Sequence, residues 1–121
     1  MSDDLATVPV AALRHVEDHG DTYDTLVIWC PGCAYGRDAG GLHMLPVTGD
    51  ASKRPTWTWD GDLDAPTLSP SILTYASGEQ PRCHSFLRAG VWEFLDDSTH
   101  ALAGHRVPMV PLPGWALGGP S

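Results

Sequence analysis

Glycine and proline occur 13 and 11 times in 121 residues and fall throughout the chain with no repeat period. Glycine weakens a regular element through its backbone entropy, and proline through its fixed φ and missing N–H. The chain is therefore held to short elements joined by many turns. Five tryptophans and the apolar runs in "TLVIWC" and "CHSFLRAGVWEFL" remain to build a core, which argues against disorder. The expectation is a mainly β fold: one small domain over residues 1–121, with an antiparallel sheet and one short helix.

"TLVIWC", residues 25–30, is β-branched and aromatic and reads as a buried strand following a His- and Asp-rich turn. "GLHMLPV" predicts a second strand, with Leu42, Met44 and Pro46 on one face and His43 and Leu45 on the other. Trp57 and Trp59 alternate in "PTWTWDGD" ahead of an Asp60-Gly61 turn. Two prolines at the start of "PTLSPSILTY" exclude a central strand there and leave an extended lead-in to "SILTY". Cys83–Leu87 and Val91–Leu95 read as a hairpin around Arg88-Ala89-Gly90. In "DDSTHALAGH", Ser98 or Asp97 can cap a helical turn through Ala101–Ala103 that Gly104 ends. The proline-rich tail reads as an extended strap.

Charge narrows the function. The formal net charge is −8 and no basic run occurs, so a phosphate backbone would be repelled and nucleic acid is not an expected partner. No apolar stretch approaches the roughly 20 residues that span a membrane. The first residues, "MSDDLATVPV", are acidic where a signal peptide would be basic. Three cysteines, an odd number, cannot make a full disulfide framework. The expected location is the cytoplasm.

Two of those cysteines flank a Pro-Gly turn in "IWCPGCAYG". A redox pair would need a helix after the first cysteine, and "AYGRDAGG" is a poor helix former. A metal knuckle needs only the tight turn and two more ligands. Neighbouring strand residues point to opposite faces, so Cys83 and His84 should not serve one ion. Thiolates are the usual partners of such a knuckle, so the expected Zn2+ ligands are Cys30, Cys33, Cys83 and His43, with His100 as the substitute for His43. The bland alternative makes the cysteines small buried hydrophobes. His15, His19 and His105 read as surface or capping residues.

A second cluster lies around His84 and His100, with hydroxyls at Ser69, Ser71, Ser85, Ser98 and Thr99. A serine nucleophile needs a base within hydrogen-bond reach and an acid to orient that base. "DDSTH" supplies all three types, which makes Ser98 the expected nucleophile, His84 or His100 the base and Asp97 the acid. Asp97 or Ser98 as a simple helix cap is the competing reading. No GxSxG elbow or HExxH helix occurs.

The blocks "WCPGC", "WTWDGDLDAPTLSPSIL", "CHSFLRAGVWEFL" and "DDSTHALAGHRV" together resemble a family of small zinc-knuckle proteins of bacteriophages and bacteria. Members have sometimes been labelled ammonia monooxygenases, a chemistry these residues do not support. The resemblance runs from about residue 26 to 112. It covers Cys30, Cys33, His43, Ser69, Ser71, Cys83, His84, Ser98 and His100, with a longer segment here between Cys33 and His43. Some relatives lie beside ubiquitin-like conjugation genes. The resemblance thus implies a zinc-stabilised serine-type peptidase or isopeptidase whose partner is a protein or peptide, such as a ubiquitin-like C-terminus. "PTLSPSIL" would line its cleft and bind an extended peptide by strand addition. Two rival readings are a non-catalytic zinc-binding interaction protein of phage origin, working in the host cytoplasm, and a zinc-dependent hydrolase with His84 and His100 as metal ligands.

Overall fold

His19 and Gly20 both take positive φ, 50° and 84°. That pair of angles marks a type I′ turn, whose twist matches that of antiparallel strands on either side. The turn joins β1 (Ala11–Asp18) to β2 (Asp21–Trp29), paired from Asp18↔Asp21 to Ala11↔Ile28. β3 (Leu42–Pro46) adds to the other edge of β2 and completes a three-stranded antiparallel sheet of order β1-β2-β3. The computed structural model describes residues 9–32, 41–77, 80–99 and 102–113.

The second sheet has five antiparallel strands in chain order. They are β4 (Thr58–Trp59), β5 (Leu68–Ser77), β6 (Gln80–Arg88), β7 (Val91–Phe94) and β8 (Arg106–Pro108). Ala89 and Gly90, with φ of 49° and 77°, make a second type I′ turn between β6 and β7. Between β5 and β6 the register runs Leu68↔Leu87 and then Ile72↔Ser85. Ser69, Pro70 and Ser71 therefore stand opposite Phe86 alone, in a β-bulge. The bulge explains why β5 starts at Leu68, earlier than the prolines suggested: Pro70 sits where the ladder makes no demand on its missing N–H.

The sheets share one core. Leu26, Ile28, Cys30 and Leu45 from the first sheet meet Leu68, Ile72, Cys83, Leu87, Trp92 and Phe94 from the second. Each fully buried Leu or Ile among them contributes about 1.5–3 kcal/mol relative to exposure. Trp57 and Trp59 pack against the edge of this cluster, as their alternation implied. On the other face of the first sheet Val27 is covered by Leu112, whose N–H bonds the carbonyl of Pro9 at 2.9 Å. The strap after β8 is held by such single bonds, including Met109 N–H to Gly90 at 3.0 Å.

No helix occurs among the described residues. Residues 102–104 form a turn, in which the N–H of His105 bonds Leu102 and that of Gly104 bonds Phe94. Residues 100 and 101 of the expected helical turn lie outside the described residues. No described helix is long and apolar enough to cross a membrane.

Candidate active site

Alternation along β6 separates two chemistries. Cys83, Ser85 and Leu87 point into the core and are buried, while His84 and Phe86 lie half-buried on the outer face. On β5, Ile72 faces inward, so Ser71 and Leu73 are turned outward beside His84.

The outward group is compact. Ser71 Oγ lies 3.1 Å from His84 Nε2. His84 Nδ1 lies 3.1 Å from Asp97 Oδ2 and 3.2 Å from Oδ1. An ionised carboxylate can only accept, so the ring proton sits on Nδ1 and donates to Asp97. Nε2 is left with a lone pair, to which the Ser71 hydroxyl donates. A serine, an imidazole and a carboxylate joined in that order match the arrangement that activates a hydroxyl for attack. The imidazole is one-quarter exposed (25%) and thus open to a substrate.

Ser98 does something different. Its hydroxyl accepts from the backbone N–H of His84 and donates to the backbone carbonyl of the same residue, both at 3.0 Å. Leu95 N–H bonds that carbonyl too, at 2.8 Å, and Ser98 N–H closes the turn onto Leu95 at 3.0 Å. The turn that carries Asp97 is thereby clamped to the strand that carries His84. Ser98 is buried and its hydroxyl is spent on backbone, whereas Ser71 occupies the place beside the ring. His100 lies outside the described residues.

Trp57 also reaches the site. Its indole N–H donates to the carbonyl of Ser71 at 3.2 Å, while its backbone N–H bonds Pro46 at the end of β3. The tryptophan thus ties the bulged segment bearing Ser71 to the first sheet. A shallow depression of about 680 Å³ lined by Arg88, Val91, Glu93 and Arg106 includes none of Ser71, His84 and Asp97.

On the inner side, Cys30 Sγ and Cys83 Sγ approach to 3.6 Å, with both thiols free of disulfide. Two sulfurs on one tetrahedral zinc, each at about 2.3 Å, lie about 3.8 Å apart. His43 is buried and pairs with Ile28, and the bond from Cys30 N–H to Gly41 at 2.7 Å continues that ladder. His43 and Cys30 therefore sit diagonally on one inward face. Its ring meets Trp92 edge-on, with centroids 6.3 Å apart. Among the described residues no three metal-binding side chains converge. The expected ligand Cys33 lies outside the described residues. The alternative that gave His84 to a metal has to contend with both of its ring nitrogens being engaged, one by Ser71 and one by Asp97.

No curated protein and no solved structure matches the chain. A family model does: the bacterial ubiquitination-like system serine protease, BubE, matches residues 3–95. Ser71 and His84 fall inside the matched stretch, and Asp97 falls two positions beyond it. By a match over most of its length, the chain belongs to the serine protease family of bacterial ubiquitination-like systems.

Proposed function

We propose that this protein is a serine peptidase or isopeptidase acting on the ubiquitin-like protein of such a system, with Ser71 as nucleophile, His84 as general base and Asp97 as the group that orients the base. The observation that carries the reading is the continuous hydrogen-bonded line from Ser71 Oγ through both nitrogens of His84 to the Asp97 carboxylate. Family membership supports the same reaction class.

In the first step Ser71 Oγ attacks the carbonyl carbon of the scissile amide as its proton passes to His84 Nε2. The imidazolium is held against Asp97, which stabilises its charge without taking the proton. His84 then gives the proton to the leaving amine as the C–N bond breaks, and an ester of Ser71 remains. Water, deprotonated by the same nitrogen, attacks that ester and releases a carboxylic acid and the free serine. An isopeptide bond differs only in that the leaving amine is a lysine Nζ.

The test compares two serines. Ser71→Ala is expected to abolish labelling by a fluorophosphonate and to lower kcat by at least about 10³-fold. Ser98→Ala is expected to keep Ser71 labelled, with a reduced rate from a looser clamp on His84. Labelling of the Ser71→Ala protein at wild-type level would refute the assignment.

We also propose that Zn2+ staples the core through Cys30 and Cys83, with Cys33 and His43 as further ligands. The 3.6 Å approach of two buried cysteine sulfurs supports it, because zinc favours thiolate donors at that spacing. In this reading the ion is structural and takes no part in the hydrolysis.

A further inference from the structure

We propose that the open edge of β5 at Leu73 is the docking site for the main chain of an extended peptide substrate, a proposal that rests on Ser71 being the nucleophile. The argument begins with where backbone groups point. Leu73 pairs with His84 in the β5–β6 register. The backbone of His84 is committed on its far side: its carbonyl accepts from Leu95 N–H and Ser98 Oγ, and its N–H donates to Ser98 Oγ. In an antiparallel pair such a residue has its partner in a non-hydrogen-bonded position. The N–H and C=O of Leu73 therefore point away from β6, toward the opposite edge of β5.

Along that edge β4 covers only Leu68 and Ser69. Ser71 has the same parity as Leu73, and its carbonyl is taken by the Trp57 indole. Among the described residues the edge is closed as far as the nucleophile and opens two residues later. At Leu73 no described strand lies alongside, and the side chain is 47% exposed on the same face as Ser71 and His84. Natural sheets blunt exposed edges with proline, charge or a covering segment. A leucine beside the Ser71 hydroxyl has the opposite character, and an N–H and C=O that no described strand pairs match what an extended peptide offers in strand addition.

Residues two apart on a strand are separated by about 6.7 Å, so the substrate residue bonded to Leu73 lies about two positions from the scissile bond. The leucine side chain gives that stretch an aliphatic surface. The expected substrate is a linear, unfolded segment, such as a chain terminus, and not a folded loop.

The experiment uses the wild-type protein, an internally quenched peptide pool and a fluorophosphonate. For a peptide that the wild type cleaves, N-methylation at one backbone position near the cut is expected to lower kcat/KM about tenfold or more, the worth of about one hydrogen bond, and elsewhere to do little. Leu73→Pro removes the outward N–H without touching the β6 ladder. It is expected to lower peptide kcat/KM by a similar factor while the rate of Ser71 labelling is kept. Equal loss of labelling and peptide cleavage would make Leu73 structural and overturn the proposal. So would unchanged cleavage, N-methylated peptides all cut at the parent rate, or a labelled wild type that cuts no peptide. If Leu73→Pro does not fold, the N-methyl series on the wild type decides alone. Failure of Ser71 to label at all would sink the underlying nucleophile reading instead.

Discussion

Asp97 orients His84 from a half-exposed position, 47% open to solvent, and reaches Nδ1 with both oxygens. In the proposed mechanism its value lies in fixing which nitrogen holds the proton. In Asp97→Asn the amide can turn its NH2 toward the ring and favour the tautomer that puts the proton on Nε2, where Ser71 needs a lone pair. The expected result is a loss of about 10²–10⁴-fold in kcat with the melting temperature nearly unchanged, measured by turnover and calorimetry on one preparation. Wild-type turnover would show that the carboxylate does not set the tautomer. The alternation of Cys83 and His84 was legible in the chain, which also offers Asp97 as the acid and His84 as one of two candidate bases. Which serine completes the group was not legible. Ser98 stands next to Asp97 in sequence, but its hydroxyl closes onto the backbone of His84. Ser71 comes to the ring only through strand pairing, and pairing is set by register across 13 residues.

Among the elements, the connection from β3 to β4 is fastened to the start of β2. Arg54 pairs with Asp21 and lies over the ring of Tyr23 at 3.9 Å, Lys53 also reaches Asp21, and Thr48 Oγ1 accepts from Asp24 N–H. The hydrogen bond from Arg54, followed by Lys53, holds the Asp21 carboxyl below its ordinary value. A depressed carboxyl adds stability above its unfolded value, and that stability is lost as the pH falls through the lower folded value. Urea midpoints of the wild type should therefore drop as the pH passes below about 4, and Asp21→Asn should show a shallower drop. Identical acid profiles would remove Asp21 from the account. Elements were legible wherever turn chemistry is local: the Ala89-Gly90 hairpin follows from its own residues. The bulge at 69–71 was hidden, because proline in that stretch signals an interrupted ladder without saying whether the strand ends or merely bends.

For the molecule as a whole, the two sheets meet in one modest apolar core, and the sulfurs of Cys30 and Cys83 touch across it. If zinc is bound there, a chelator should lower the melting temperature by about 10 °C or more, and Cys83→Ser should do the same without added chelator. An unaltered melt, or purified protein without metal by elemental analysis, would contradict the staple. The mainly β architecture was readable from the density of glycine and proline. The division into two sheets was not, since nothing local tells a strand which of two partners it will join. Cys83 and His84 are adjacent on one strand yet serve opposite sides of it. A slip of one position in β6 would send the imidazole inward and the thiol out to water. If His84 is the base and zinc the staple, as proposed, such a mispaired chain would lose both together, and catalytic output would count only correctly threaded molecules.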